Sequence, residues 1–303
     1  MKPLAILGPT AVGKSSLAMA LAERLGGEIV SVDSRQAYRG IDVGTAKPSC
    51  SDRERIPHHL IDVLDLREKN DAERFARLAA AAVDDILQRG RLPILTGGSG
   101  LYFRAIFNGF FAIDLDPAER RAFAGSIAPV PTPELYRRLN SSDPESARRI
   151  HPNDRYRIVR ALEVLELSGV PLSEHFRRQR ADPAYRRIEC RTIGLTMPRD
   201  VLYACINERT RRMMAEGWIE EVERLIQGGA DPAWPGFGSL GYPEVLSLVR
   251  GELTREQAID RVARLTRQYA KRQLTWFRKI EGVTWFDTDR RDVAELVFTW
   301  LRA

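Results

Sequence analysis

Short apolar runs alternate with stretches of helical period along this chain. Leu4-Ala5-Ile6-Leu7, Glu28-Ile29-Val30-Ser31-Val32-Asp33, Leu92-Pro93-Ile94-Leu95-Thr96, Ile188 to Leu195 and Val283-Thr284-Trp285-Phe286 read as strands. Between them, Ser16 to Ala22 and Asp71 to Arg89 read as helices, the second stopped by Gly90. Pro57 to Val63 reads as a loop entering a short strand, and Gly40 to Pro48 as irregular loop. From Asp114 to about Arg187 strand signals vanish. Short helical segments replace them, broken at Pro117, Pro131, Pro133, Pro144, Pro152 and Pro171. Beyond the last strand-like return, Arg199 to Gln227 is helical in pattern, Ala230 to Gly241 is a Gly/Pro-rich loop, and Pro243 to Arg250 is a short helix. A long amphipathic helix is predicted from Thr254 to about Lys279, opened by the capping-box pair Thr254 and Gln257, and a last helix from Asp292 to Leu301.

Alternating strands and helices predict an α/β fold. Its first turn carries chemistry. Gly8-Pro9-Thr10-Ala11-Val12-Gly13-Lys14-Ser15 matches the phosphate-binding pattern G-x-x-x-x-G-K-[ST], between a predicted strand and a predicted helix. Backbone N–H groups and the helix N-terminus there cradle phosphate oxygens, with Lys14 supplying charge and Ser15 a hydroxyl for a magnesium ion. The expectation is a P-loop NTPase-like parallel sheet flanked by helices, with an inserted small all-helical domain. The core spans 1–113 and 188–303 and the insertion 114–187. Asp33, ending the second strand, is placed beside the phosphate loop, because open parallel sheets gather their chemistry at the carboxyl ends of strands. The strand at 92–96 ends in Thr-Gly-Gly, where a nucleoside triphosphatase often carries a metal-binding aspartate.

Composition narrows the setting. The 303 residues are 44% hydrophobic and 29% charged, with no apolar run near the ~20 residues that span a bilayer. Met1-Lys2 leads straight into a strand, so no signal peptide and a cytoplasmic protein are expected. Cys50, Cys190 and Cys205 suggest neither disulfides nor zinc, and His58 and His59 lack a third ligand at useful spacing. The formal charge is +6. Arg250 to Lys279 holds nine basic against three acidic residues, and Arg148 to Arg180 eight against four, so each helical stretch offers a basic face to an anionic partner.

The motifs taken together resemble the tRNA dimethylallyltransferases, or tRNA isopentenyltransferases, from residue 4 to about 287. The resemblance rests on the phosphate loop, on Ser31-Val32-Asp33-Ser34-x-Gln36-x-Tyr38 and on Asp42-x-Gly44-Thr45-Ala46-Lys47-Pro48. Gly97-Gly98-Ser99-Gly100-Leu101-Tyr102, His151-Pro152-Asn153-Asp154-x-x-Arg157-x-x-Arg160-Ala161-Leu162-Glu163, Gly241-Tyr242 and Arg267 to Trp276 complete it. It implies transfer of a dimethylallyl group from dimethylallyl diphosphate to N6 of the adenosine at position 37, 3′ of the tRNA anticodon, with Mg²⁺ required. Residues 8–15 would then hold diphosphate. Lys14 and Arg209 would stabilise the leaving charge, Ser15 would sit on the metal, and Asp33 would deprotonate the amine. Ser99 stands where the family usually has Thr and keeps a hydroxyl for substrate. Val12 stands where Ser is common, a change the loop tolerates if its contacts are mainly backbone.

Adenine stacked in an anticodon loop must be flipped to reach a buried donor. By resemblance Asp33, Ser34, Arg35, Gln36 and Ser99 would read it, while Arg120, Tyr156, Arg157, Ile158, Val159, Arg160, Lys271, Arg272 and Gln273 would contact the anticodon stem-loop. No membrane or obligate protein partner is expected, and a monomer is. Three rivals stay open at this stage: an adenylate isopentenyltransferase acting on free AMP, ADP or ATP, a small-molecule kinase or ATPase, and a non-enzymatic RNA-binding protein.

Overall fold

The computed structural model describes residues 2–108, 115–181, 187–289 and 292–302. Two compact units form, residues 1–108 with 188–303, and residues 109–187. The boundary expected at 113/114 lies outside the described residues.

The first unit opens with β1 (Leu4–Leu7), α1 (Lys14–Leu25), β2 (Gly27–Ser31), α2 (Cys50–Arg55) and β3 (His58–His59). It continues through α3 (Ala72–Gln88), β4 (Leu92–Thr96) and α4 (Gly100–Asn108). In the second unit lie α5 (Pro117–Ile127), α6 (Thr132–Ser142), α7 (Pro144–Arg149), α8 (Arg155–Ser168) and α9 (Leu172–Ala181). The chain returns with β5 (Arg191–Thr196), α10 (Arg199–Ala215), α11 (Trp218–Gln227) and α12 (Tyr242–Val249), then α13 (Arg255–Phe277), β6 (Thr284–Asp287) and α14 (Val293–Arg302).

The strands form one sheet in the order β3-β2-β4-β1-β5-β6, with every pairing parallel. Strand alternation divides the core. Leu4 and Ile6 face one side, packing with Leu17 and Leu21 of α1, Ile206 of α10 and Ala270 of α13. Ala5 and Leu7 face the other, against Phe75 and Val83 of α3 and Phe103 of α4. Both faces are therefore covered, as an all-parallel sheet requires. A third cluster joins Tyr38 and Ile41 to Trp218, Tyr242 and Val262. The helical unit closes on its own core of Leu135, Leu139, Ile158, Ala161 and Leu162.

Several elements differ from the sequence expectation. The single helix read over 199–227 is two, because Gly217 takes a left-handed φ of 100° and restarts the chain as α11. Residues 50–55 and 100–108 are helical, the former held by a capping box between Ser49 and Asp52. The capping box at Thr254 and Gln257 is present, and Pro117, Pro133 and Pro144 occupy first-turn positions of their helices, where a missing N–H costs nothing.

Candidate active site

The loop from Gly8 to Ser15 leaves the carboxyl end of β1 and enters α1, whose N-cap Gly13 is left-handed at φ 91°. Ala11 is also left-handed, at φ 65°, a conformation costing an alanine about 1–3 kcal/mol and concentrated at functional sites. Val12 is fully buried in the core, so it offers the loop only its backbone. Lys14 donates from Nζ to the Pro9 carbonyl at 2.6 Å. Burial, with the Arg209 charge next, lowers its ammonium from the usual 10.5 to about 7, while Asp33 pulls it upward. Arg209, from α10, donates to Thr10 Oγ1 at 3.3 Å, and burial lowers its pKa as well.

Asp33 lies two residues past the end of β2. Its Oδ1 accepts the Arg35 N–H at 2.8 Å, which orients the carboxylate within a turn. Ser99, in the turn between β4 and α4, accepts the Ser34 N–H at 3.0 Å and lies 3.3 Å from the Ser34 hydroxyl. Thr10, Lys14, Ser15, Asp33, Ser34, Arg35, Thr96 and Arg209 all line one cleft of about 1220 Å³, as do Tyr269 and Arg272 of α13. A basic phosphate loop and an oriented carboxylate thus share one cavity. Thr96, at the end of β4, keeps its Oγ1 buried with no hydrogen-bond partner.

Gly44 to Pro48 line the same cleft as Asp33, and the 40–48 segment, read from sequence as irregular loop, is in fact tightly held. Buried Glu221 accepts the N–H groups of Asp42 at 2.7 Å and Val43 at 2.8 Å, together with the Tyr242 hydroxyl at 2.6 Å. Lys47, its side chain 2% exposed, reaches the Tyr38 carbonyl, Asp42 and Asp62. The Gln36 amide donates to the Thr45 and Ala46 carbonyls and accepts from the Ser31 hydroxyl.

A family model described as IPP transferase matches residues 36–280. The tRNA dimethylallyltransferase of Anaeromyxobacter is 47% identical over 293 residues, covering 94% of this chain and 96% of the relative. That of Geobacter metallireducens is 45% identical over 284 residues, covering 93% and 91%. The chain belongs to the IPP transferase family. The solved tRNA isopentenylpyrophosphate transferase of Bacillus halodurans superposes with a TM-score of 0.71 at 39% identity, covering 99% of this chain and 95% of that one. A eukaryotic dimethylallyltransferase acting on tRNA gives 0.80 at 27% identity, covering 98% and 77%.

As a member of this family the chain distributes its remaining sequence-predicted site residues unevenly. In the helical unit, Tyr156 is 82% exposed at the first turn of α8, with Arg157 exposed beside it and paired to Asp154. Arg120 and Arg160 share Glu163, so part of their charge is already compensated. Ile158, expected among the tRNA contacts, is 0% exposed within that unit's core, where the helical period turns its side chain inward. Val159 is half-buried against the same core. On α13, Lys271 and Arg272 are exposed, and the Arg272 guanidinium lies 5.8 Å from the centre of the Tyr269 ring. Gln273, expected on the RNA face, points inward at 4% exposure. Gln36 likewise spends its amide on the 45–46 carbonyls.

Proposed function

We propose that this protein transfers a dimethylallyl group from dimethylallyl diphosphate to N6 of adenosine 37 of tRNA, releasing diphosphate. The observation that carries the reading is the phosphate loop and Asp33 lining one cleft, with Arg209 and Lys14 on the phosphate side. The relatives' names supply the substrate: they are tRNA dimethylallyltransferases, and one solved neighbour acts on tRNA. A kinase reading has less support, since β4 ends in Thr96 without a carboxylate.

In the reaction the allylic C–O bond breaks and its electron pair leaves with diphosphate. The N6 lone pair forms the new C–N bond, and the displaced N6 proton goes to Asp33. Lys14 and Arg209, both in a partly dry cleft, stabilise the charge growing on the leaving oxygen. Ser99 fixes the backbone at Ser34 beside the base and offers its hydroxyl to the acceptor. Tyr156 and Arg157 in the helical unit offer exposed stacking and cationic groups to a single-stranded RNA loop, with Arg160 part-exposed on the same helix, and Lys271 and Arg272 on α13 offer exposed charge of their own.

Magnesium suits the groups present. Mg²⁺ usually takes one or two protein oxygens and fills its shell with phosphate oxygens and water. Ser15 provides one such hydroxyl, and the unpartnered Thr96 Oγ1 leaves another for a phosphate oxygen. Among the described residues no group of three His, Cys, Asp or Glu could hold a metal by itself. When bound, the ion would neutralise charge on the leaving diphosphate.

A tRNA substrate supports a cytoplasmic setting. No helix among the described residues is long and apolar enough to cross a membrane. The test is transfer of labelled dimethylallyl to a synthetic anticodon stem-loop, with AMP as a parallel acceptor. Label should appear on the stem-loop alone and fall about 10²–10⁴-fold in Asp33→Asn, the usual worth of general-base help. Label on AMP alone would move the reading to a mononucleotide acceptor.

A further inference from the structure

Gln273 sits where two halves of the cleft meet. Its Oε1 accepts the Thr10 N–H of the phosphate loop at 2.8 Å, and its Nε2 donates to the Gly98 carbonyl at 2.8 Å. Gly98 precedes Ser99, and Ser99 in turn holds the Ser34 N–H next to Asp33. A single carboxamide therefore ties the segment that would hold the donor to the segment that would hold the acceptor. The fit is close: a Cβ on Gly98 would stand 2.2 Å from Gln273 Nε2. One turn earlier on α13, the Tyr269 hydroxyl reaches the same Gly98 carbonyl at 3.4 Å.

The chemistry selects an amide. The site needs an acceptor facing Thr10 and a donor facing Gly98 on one short, buried head group, which a carboxylate, an ammonium or an alkyl chain cannot offer. The bond also has a consequence for the loop. The Thr10 N–H is spent on Gln273, so the anion cradle is built from the other N–H groups, with Arg209 held on the Thr10 hydroxyl.

We propose that Gln273 is a positioning residue that sets the distance between the diphosphate loop and the Asp33–Ser99 side of the cleft. This rests on the transferase reading above. Displacement of reacting groups by about 1 Å can cost roughly 10²-fold in rate without weakening either ligand.

The experiment compares wild type, Gln273→Met and Gln273→Glu in the full chain. Equilibrium binding of dimethylallyl diphosphate and of the anticodon stem-loop is measured separately, and the single-turnover transfer rate is taken with both saturating. Gln273→Met removes both hydrogen bonds. Gln273→Glu keeps the volume and the acceptor toward Thr10 but turns an acceptor toward Gly98, so it carries the test if the Met variant fails to fold. The expected result is a rate lower by about 10²-fold with both dissociation constants within about threefold of wild type. Weaker stem-loop binding by tenfold or more, with an unchanged saturating rate, would make Gln273 an RNA contact and overturn the strut. Weaker donor binding alone, or no change at all, would overturn it too. A wild type that transfers nothing sinks the transferase reading and the strut's role with it; an active wild type matched by its variants sinks the strut alone.

Discussion

Lys14 makes donor binding depend on pH in a direction that can be worked out. Burial and the nearby Arg209 charge hold its ammonium at about 7, far below the usual 10.5. At pH 8 only about a tenth of the free protein then carries that proton, and at pH 9 about one part in a hundred. A diphosphate laid in the loop brings negative charge beside Lys14 and favours the charged form, so the pKa rises again in the complex. Binding must therefore take up a proton above neutrality. With a complex pKa well above 9, the affinity falls between pH 7 and pH 9 by about the ratio of (1 + 10²) to (1 + 1). That is about 50-fold, on the order of 2 kcal/mol. Titration calorimetry of dimethylallyl diphosphate at pH 8, in buffers of different ionisation enthalpy, reads the uptake directly as about 0.9 proton per site. Arg209→Gln removes the like charge, so the midpoint should move to higher pH even as binding weakens overall. Proton uptake near zero at pH 8, with affinity flat from pH 7 to pH 9, would refute the argument.

Two further perturbations test what holds the cleft. Glu221→Leu strands the Asp42 and Val43 N–H groups and the Tyr242 hydroxyl, and at about 1–3 kcal/mol for each unpaired group the loss should be about 3 kcal/mol or more. Urea unfolding measures it, and a change under 1 kcal/mol would mean the loop finds other acceptors. Ile158→Ala should cost about 2–5 kcal/mol in the helical unit by leaving a cavity, while stem-loop affinity in the folded protein stays close to wild type. A large affinity loss without destabilisation would return Ile158 to the RNA face.

Much of this architecture was legible because the signals were local. Leu4–Leu7, the glycine loop and the first helix form a contiguous unit, and the Thr254–Gln257 capping box marks the start of α13 in four residues. Failures came where orientation decides. A run from Tyr156 to Arg160 reads as one binding surface, but a helical period of 3.6 sends the third member into the core. The resemblance groups Gln273 with Lys271 and Arg272 as a contact of the anticodon stem-loop; only the positions of Thr10 and Gly98, 263 and 175 residues away, give it reason to face in. Glu221 escaped for the same reason: besides the Tyr242 hydroxyl its partners are backbone N–H groups, which have no sequence signature. Gly217 did carry a signal for the break between α10 and α11, but an isolated glycine within a helical pattern is commonly tolerated.

The parallel pairing of Leu4 with Arg191 bears on how the protein is made. Synthesis at about 5–20 residues per second leaves β1 waiting roughly 10–40 s for that neighbour to leave the ribosome. For all of that interval an apolar strand has one edge exposed, the usual starting point for mispairing between nascent chains. The helical unit, complete by residue 187 and closed on its own core, has no such delay and is free to fold while the sheet is unfinished. Chaperone occupancy on the nascent chain should accordingly concentrate on the first hundred residues and fall once β5 emerges.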